Sequence, residues 1–241
     1  MPDSDPLANV RIVLTEPSHP GNIGAAARAM KTMGLSSLHL VAPQRFPDPE
    51  AEWRALRASD VLAAARVHDT LEDALRGTAL AVACSARTRG LAVPAVTARE
   101  AAARLIEAAR AQPVAIVFGN ETNGLTTGHV NKCSLVAAIP TNPDYSSLNL
   151  AAAVQVFAYE VRMAAHAEVD GDGPRTLAPH EDVEHFYARL ESLLSERGFL
   201  DPDHPKKLMP RVRRLFARAG LEPGELNILM GILKALSRPP E

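Results

Sequence analysis

Residues 139–153 read Ile-Pro-Thr-Asn-Pro-Asp-Tyr-Ser-Ser-Leu-Asn-Leu-Ala-Ala-Ala, and they connect an apolar strand to a helix. Pro140 and Pro143 restrict the backbone between these two elements. The alanines favour a helix that begins at Ser146 or Ser147, where a serine side chain can cap the first free N–H groups. Such N–H groups also attract an anion. The segment therefore indicates either a capped helix after a tight loop or one wall of a ligand pocket.

Five short apolar runs separated by helical patterns predict an α/β fold with a mostly parallel sheet. The runs are almost continuous in Val, Ile, Leu and Ala, which is typical of strands buried on both faces. They are residues 10–14, 38–41, 80–84, 114–118 and 135–139. Between the first two runs, Asn22 is expected to cap a helix that stops at Gly34. Thr97 and Glu100 predict a capping box at the start of a later helix.

The chain divides into a large domain, a linker and a small helical unit. Residues 1–167 hold the alternating strands and helices, and residues 168–179 are rich in the Asp, Gly and Pro of a linker. In residues 180–241, apolar positions repeat at helical spacing in three stretches, which predicts an all-helical C-terminal unit. A core of about 60 residues is marginal by itself, so we expect this unit to be supported by docking or by partners.

The composition is that of an ordinary globular protein. Of the 241 residues, 46% are hydrophobic and 22% are charged, and no apolar run approaches the ~20 residues that span a bilayer. The N-terminus lacks the pattern of a signal peptide, so a cytoplasmic location is the default expectation. Cys84 and Cys133 are too few for a disulfide framework or a cysteine zinc site, and the eight histidines show no metal-ligand spacing. We therefore expect neither a metal nor a membrane partner.

Polar residues follow two of the central strands, at the edge where open α/β sheets bind ligands. The run that ends at Cys84 continues into a polar and basic loop through Ser85 and Ala86. The run that ends at residue 118 continues into a loop that begins at Gly119 and contains Glu121. This carboxylate could receive a hydroxyl group, an amine or a cation, or it could be a plain charge at the start of a helix.

A further junction holds Asn22, with Arg28 six residues along the predicted helix. These two residues do not share a helix face. The fork of donors on Arg28 suits a phosphate, although an isolated arginine is more often a solvated charge. Polar junctions thus occur at Asn22, after Cys84, after Gly119 and in residues 139–153. Four such junctions on one side of a sheet favour a binding site over the structural alternative given for each junction alone. The glycine patterns of dinucleotide and P-loop sites are missing, as is the nucleophile elbow.

A local basic cluster in the C-terminal unit indicates contact with a phosphate backbone. No acidic residue occurs from His204 to Leu221, although the chain as a whole carries a net charge of −2. Helical spacing places three of the arginines on one face. The alternative is a solvated helix face. The residues predicted to bind RNA are Lys206, Lys207, Arg211, Arg214 and Arg218.

Taken together, the motifs resemble those of the SpoU branch of the SPOUT RNA methyltransferases. The resemblance rests on Asn22 and Arg28, on residues 118–125 and on residues 139–149, in that order along the chain. Residues 15–22 and 145–151, with the helical tail, resemble the TrmJ type within this branch. The similarity extends over nearly the whole chain, from about residue 10 to residue 236.

The resemblance implies a trefoil knot at the carboxyl end of the methyltransferase domain, a homodimer and S-adenosylmethionine as the cofactor. It also implies methylation of the ribose 2′-hydroxyl of nucleotide 32, a cytidine or uridine, in the anticodon loop of tRNA. The implied catalytic residues are Arg28 from the opposite protomer and Ser147, with Asn22 and Asn149 in support. The implied cofactor contacts are Cys84, Ser85, Ala86, Gly119, Glu121, Ile139, Ser146, Ser147 and Leu148.

Two alternatives stay open beside this function. One is a noncatalytic RNA-binding protein that keeps the knot pocket, and the other is a SpoU-type enzyme that acts on another tRNA or rRNA position. The loop after Gly119 departs from some relatives, because Asn120, Thr122 and Asn123 occupy places that are basic in them. Phosphate contacts from that loop are therefore not expected.

Overall fold

The computed structural model describes residues 5–86, 95–166 and 176–237 of the chain. Within these ranges the strands form one seven-stranded sheet. They are β1 (Val10–Thr15), β2 (Ser37–Val41), β3 (Arg66–His68), β4 (Leu80–Cys84), β5 (Ala95–Thr97), β6 (Val114–Phe118) and β7 (Leu135–Ala138). Every pairing is parallel, and the spatial order is β3-β2-β1-β6-β4-β7-β5. The predicted parallel α/β fold is confirmed.

Helices cover both faces of this sheet. In the described ranges they are α1 (Pro20–Thr32), α2 (Pro49–Ala55), α3 (Ser59–Ala63), α4 (Leu71–Leu75), α5 (Ala98–Ala109), α6 (Thr127–Asn131), α7 (Leu150–Ala165), α8 (His180–Glu196), α9 (Leu208–Ala219) and α10 (Pro223–Leu236). Ile12 and Leu14 share a core with α1, α5 and α7, whereas Val13 between them shares a core with α4 and α6. Burial on both faces explains why the strand sequences are continuously apolar.

Two edge strands were missed by the sequence-based prediction. β3 and β5 have only three residues each, and their sequences are Arg-Val-His and Ala-Val-Thr. Such short segments carry no apolar run, so no period of hydrophobicity can reveal them. They are strands only because β2 and β7 offer parallel pairing partners. The capping box of Thr97 and Glu100 at the start of α5 is confirmed.

The predicted start of α7 at Ser146 or Ser147 was wrong. The helix begins at Leu150, and Asn149 is its N-cap. The Oδ1 atom of Asn149 accepts hydrogen bonds from the N–H groups of Ala151, at 2.9 Å, and Ala152, at 3.4 Å. Asparagine is as effective a cap as serine, and it stands nearest to the alanine-rich run. Both serines remain in the exposed loop before the helix.

The predicted capping role of Asn22 was also wrong. α1 begins two residues earlier, at Pro20, and His19 occupies the N-cap position without a side-chain hydrogen bond. Proline suits the first helical position because its fixed φ matches the helix and it lacks the N–H that would need a partner. The amide of Asn22 is therefore free for tertiary contacts, described below.

The C-terminal unit packs α8, α9 and α10 around a core of its own, which includes Phe186, Leu193 and Leu226. It docks where the strands of the sheet begin. The N–H of His180 donates to the carbonyl of Thr78 at 2.7 Å, just before β4. The Gln112 side chain, just before β6, donates to the carbonyl of Leu177 at 2.7 Å. The predicted all-helical unit is thus present and packs against the sheet domain.

Three expectations stay predictions after the fold is described. The linker at residues 168–179 lies mostly outside the described residues, because only its last four residues are within them. The domain boundaries at residues 167 and 180 and the trefoil knot also stay predictions. Within the described parts of the chain, no helix is both long and apolar enough to cross a bilayer. The same residues contain no group of three His, Cys, Asp or Glu side chains suited to a metal ion.

Candidate active site

A cavity of about 450 Å³ lies where β4, β6 and β7 end. These strands are neighbours in the sheet, so the loops that follow them meet at one place. The cavity is lined by all nine residues that the family resemblance implies as cofactor contacts, which are Cys84, Ser85, Ala86, Gly119, Glu121, Ile139, Ser146, Ser147 and Leu148. Phe118, Leu125 and Leu150 add apolar surface, and Asn123 and Thr127 add polar surface. The fold brings the predicted contacts together, and their roles in binding stay predictions.

Gly119 allows the loop after β6 to fold back on itself. A Cβ atom at this position would lie 2.1 Å from the carbonyl carbon of Gly124 and 2.2 Å from the nitrogen of Leu125. The N–H of Gly124 donates to the carbonyl of Asn120 at 2.8 Å and closes the turn. Any side chain at residue 119 would therefore push this cavity wall apart.

Cys84 contributes a wall to the cavity and no reactive group. Burial raises the pKa of its thiol to about 12, so the sulfur stays protonated at neutral pH. A protonated and buried thiol is a poor nucleophile. Its place at the end of β4 makes it a small apolar surface beside Ser85, whose N–H donates to the carbonyl of Ala137 at 3.0 Å.

The carboxylate of Glu121 is bound to the loop that precedes α1. Its two oxygens accept hydrogen bonds from the N–H and Oγ of Ser18, at 2.9 and 2.8 Å. They also accept from the N–H of His19 at 3.2 Å and from Nδ2 of Asn22 at 2.9 Å. Burial alone would raise the pKa of Glu121, but the hydrogen bonds from Asn22 and Ser18 outweigh it and lower the pKa to about 2. The carboxylate is thus ionised and organises the loop beside the cavity.

Asn149 connects this network to the start of α7. Its Nδ2 atom donates to Oδ1 of Asn22 at 3.0 Å, while its own Oδ1 accepts from the first N–H groups of the helix. A continuous path of hydrogen bonds therefore runs from α7 through Asn149 and Asn22 to Glu121. Each amide uses both its oxygen and its nitrogen, so each has one orientation that satisfies its partners. The three sequence motifs are joined side chain to side chain.

Arg28 and Ser147 are not brought together within one chain. Arg28 is exposed on α1, and among the residues that the structure describes its guanidinium has no hydrogen-bond or ion-pair partner. It does not line the cavity, whereas Ser147 does. This arrangement agrees with the implied supply of Arg28 by an opposite protomer, which stays a prediction.

All five residues predicted to bind RNA are exposed, on α9 and in the segment before it. Arg213, within the same basic cluster, has a different role. It makes two hydrogen bonds to Glu184, at 2.6 and 2.8 Å, and its guanidinium lies 4.4 Å from the centre of the Tyr187 ring. It also donates to the carbonyl of Asn131 at 3.4 Å, which joins α9 to the sheet domain.

Sequence reasoning missed the partners that hold the site together. In the sequence Ser18 is only one residue of a polar stretch, yet in the structure it donates twice to Glu121. Arg213 falls among basic neighbours and resembles them. The position of Ser18, two residues before Pro20, was a usable signal for its contact with Glu121, because a polar residue ahead of a helix often forms hydrogen bonds with a nearby loop. Helical spacing does separate Arg213 from Arg214, because Arg213 aligns with Met209 and Phe216 of the helical core and Arg214 aligns with Arg211 and Arg218.

The motif order and the three-helix tail match known sequence families over most of the chain. The profile of the SpoU rRNA Methylase family matches residues 9–159. The chain belongs to the SpoU methylase family. A second profile, described as the C-terminal domain of the tRNA methyltransferase TrmJ, matches residues 181–241 of this SpoU methylase. The two matches in sequence order identify it as a SpoU methylase of the TrmJ type.

Relatives resemble this SpoU methylase along almost its whole length. A Cronobacter sakazakii (strain ATCC BAA-894) protein named tRNA (cytidine/uridine-2′-O-)-methyltransferase TrmJ is 50% identical over 239 residues, which cover 95% of this chain and 96% of the relative. The crystal structure of TrmJ from Z. mobilis ZM4 has a TM-score of 0.82 and 35% identity, and it covers 96% of this chain and 100% of that chain. The likeness therefore includes the helical unit as well as the sheet domain.

Two more distant structures resemble about two thirds of the SpoU methylase. One is described with the words "structural insights into the 2-OH methylation of C/U34 on tRNA". It has a TM-score of 0.53 and 29% identity, and the match covers 66% of this chain and 97% of that chain. The other is an AdoMet-bound rRNA methyltransferase from Sinorhizobium meliloti, with a TM-score of 0.50 and 25% identity, over 64% of this chain and 56% of that chain. Their likeness confirms the predicted methyltransferase fold.

Proposed function

We propose that this SpoU methylase uses S-adenosylmethionine to methylate the ribose 2′-hydroxyl of nucleotide 32, a cytidine or uridine, in the anticodon loop of tRNA. The observation that carries the proposal is the single cavity lined by all nine predicted cofactor residues and joined to Asn22 and Asn149 by hydrogen bonds. The name of the Cronobacter relative supports the reaction and the class of RNA. Nucleotide 32 comes from the resemblance of the motifs to the TrmJ type.

The residues of the cavity fit the cofactor. A volume of about 450 Å³ falls in the range for sites that enclose small molecules. Ile139 and Leu148 offer apolar surface for a ring system, and Ser146 and Ser147 offer hydroxyl groups for polar atoms. When bound, S-adenosylmethionine supplies a methyl group that its positively charged sulfur already activates. The protein then has to position the ribose oxygen and accept its proton.

Arg28 is proposed to clamp the phosphate beside the reacting ribose and to stabilise the developing alkoxide. Its fork of donors binds phosphate oxygens bidentately, and its charge opposes the negative charge that forms on the oxygen. A guanidinium keeps its proton in proteins and is therefore a poor base, so the proton passes to a phosphate oxygen, either directly or relayed by the Ser147 hydroxyl. Alignment of the reacting atoms contributes several kcal/mol to the lowering of the barrier.

We further propose that the enzyme is a cytoplasmic homodimer with a trefoil knot, and that Arg28 of one protomer reaches the cavity of its partner. Two observations support the dimer. Arg28 does not line the cavity of its own chain. Tyr159 and Met163, one turn apart on α7, are 46% and 51% exposed and form an apolar surface that a second copy could cover.

A mixing experiment tests the supply of Arg28 by the partner. Arg28→Ala chains and Leu148→Arg chains, the latter with a charge in the cavity wall, should each be inactive. Mixed dimers would combine an intact cavity with an intact arginine, so activity should return when the two are refolded together. A mixture that stays inactive while dimers form would contradict the proposal.

Labelled cofactor and transcribed tRNA test the proposed function itself. The purified protein should transfer radiolabelled methyl groups to the RNA, and mass-spectrometric mapping should place them on the ribose of nucleotide 32. Label on another nucleotide would support a SpoU-type enzyme of different site specificity. No label, with S-adenosylmethionine and tRNA both bound, would support the noncatalytic RNA-binding protein.

A further inference from the structure

Trp53 is the only tryptophan of the chain, and 72% of it is exposed. It lies on α2, whose opposite face buries Ala51 and Ala55 against the core. A tryptophan is among the most buried residues on average, so a rigid helix that holds one out in solvent calls for an explanation. Leu56, three residues further on and just past the end of α2, is a second exposed apolar residue, with 56% of it exposed.

One arginine lies beside this ring, and a second follows four positions after Trp53. The guanidinium of Arg54 lies 5.5 Å from the centre of the Trp53 ring. Within the described part of the chain neither Arg54 nor Arg57 forms an ion pair, whereas the nearby Lys31 is paired with Asp60 at 2.7 Å. Glu50 and Glu52 lie in the first turn of α2, where they stabilise the positive end of the helix dipole.

The α2 surface is fixed against the part of α1 that carries Arg28. A Cβ atom on Gly24 would lie 2.1 Å from the carbonyl oxygen of Ala51, so the two helices touch backbone to backbone. Two turns further along α1, Lys31 donates to the carbonyl of Arg57 at 2.8 Å. Arg28 lies between these two contacts on the same helix face, because residues four and seven positions apart align on a helix.

The same surface also reaches the first turn of α1, which carries Asn22 of the candidate site. The Cγ atom of Arg54 is 3.6 Å from the position that a Cβ atom on Gly21 would take. Gly21 is directly followed by Asn22, which binds both Glu121 and Asn149. The exposed ring therefore lies on a helix that contacts α1 both at its first turn, beside Asn22, and further along, on either side of Arg28.

We propose that Trp53 stacks on an unpaired base of the RNA substrate and that Arg54 and Arg57 contact the neighbouring phosphates. Proteins hold the splayed bases of single-stranded RNA in this way, with aromatic rings on the base faces and arginines on the backbone. Arg54 and Arg57, which form no ion pair with any described residue, favour a partner that carries phosphates. A second protein chain is the alternative occupant, since Trp and Arg are also enriched at protein interfaces, and the dilution measurement below tests for it. The inference rests on the proposed function, since it takes the RNA to be the substrate of that site.

Intrinsic fluorescence tests the stacking directly, because all tryptophan emission of the chain comes from Trp53. Titration of the intact protein with a transcribed tRNA anticodon stem-loop should quench the emission in a saturable way. Dilution of the protein without RNA should leave the emission spectrum unchanged. Unchanged emission on binding of an RNA that the same preparation methylates would overturn the proposal. A spectrum that depends on protein concentration would instead place Trp53 between two copies of the chain and overturn it too.

A set of substitutions measures what the ring contributes. Trp53→Ala should raise the KM for tRNA roughly 5- to 100-fold, the value of one base–aromatic stack, with little change in kcat. Trp53→Phe should retain part of the effect. Val67→Ala, at an apolar residue that is 55% exposed on β3 and belongs to neither proposed RNA surface, serves as the control and should leave the KM unchanged.

The outcomes separate the inference from the proposed function. If the wild-type protein methylates tRNA and Trp53→Ala has an unchanged KM, the inference is wrong and the function stands. If the wild-type protein binds the stem-loop with quenched emission but transfers no methyl group, the function is wrong and the stacking stands. Circular dichroism of Trp53→Ala should match that of the wild type, since the ring is exposed.

Discussion

Hydrogen-bonded carboxylates occur at both ends of the sheet, where the strands end and where they begin, but they have different roles there. Where the strands end, the Glu121 carboxylate binds Ser18 and Asn22 beside a cavity of about 450 Å³. Where they begin, the Glu184 carboxylate binds Arg213 beside a space of about 70 Å³, which has room for waters only. The first network holds loops around an open space, and the second fills the contact between the helical unit and the sheet domain. A bonded carboxylate thus indicates a functional site only when it borders a space that a ligand can enter.

The largest effect at the end of the sheet that carries the cavity is expected from the loss of Arg28. Arg28→Ala should lower kcat by about 100- to 1,000-fold, because one stabiliser of the developing charge is removed. Arg28→Lys should lose nearly as much, since lysine cannot bind a phosphate bidentately. Single-turnover methyl transfer measures both. Arg104→Ala, at an exposed arginine on α5, is the control. An Arg28→Lys variant with most of its turnover and normal tRNA binding would refute the clamp.

Replacement of the Glu121 and Glu184 carboxylates by amides compares the two ends of the sheet directly. Glu121→Gln and Glu184→Gln should each lower the free energy of unfolding by about 1–3 kcal/mol, because each weakens charge-assisted hydrogen bonds. Only Glu121→Gln should also lower kcat, roughly 10- to 100-fold, since it releases the loop that positions Asn22. Denaturant unfolding and steady-state kinetics provide the two readouts. Equal losses of kcat in both variants would mean that the two ends of the sheet do not differ in their contribution to catalysis.

Neutralisation of the exposed basic cluster should weaken RNA binding without changing the fold. A triple variant, with Arg211, Arg214 and Arg218 replaced by Ala, should bind tRNA less tightly and with a shallower dependence on salt. The slope should fall by about 0.7–0.9 for each phosphate that the protein no longer neutralises. Filter binding over a series of salt concentrations measures this slope. Arg189→Ala on α8 should change neither quantity. Unchanged tRNA affinity in the triple variant would leave the cluster as a solvated face.

The smallest effect is expected in the pH dependence of stability. The folded-state pKa of Glu121 is lowered from 4.5 to about 2, so the unfolded chain binds the proton more readily. Its contribution to stability is therefore full above pH 4.5 and is lost as the pH falls from 4.5 towards 2. Unfolding of Glu121→Gln should show a flatter profile over this interval than the wild type. Parallel profiles would mean that another group dominates acid unfolding.

Much of the fold could be predicted because it depends on local patterns. Five apolar runs predicted five strands within a residue or two of their ends. β3 and β5 could not be predicted, because three-residue strands exist only through pairing with a neighbour. The cap at Asn149 was missed because several polar residues precede the helix, and only the folded loop decides which one reaches the free N–H groups.

The sequence by itself determined the parallel α/β class, the helical tail and the order of the motifs, because these follow from hydrophobic periodicity and residue type along neighbouring positions. The tertiary structure alone decided which motif side chains bond to one another. Ser18 meets Glu121 across 103 positions, and Asn149 meets Asn22 across 127. The tertiary structure also decided that Arg213 is hydrogen-bonded to Glu184 while Arg214 is exposed. Such choices depend on distances in the folded chain, which no local pattern contains.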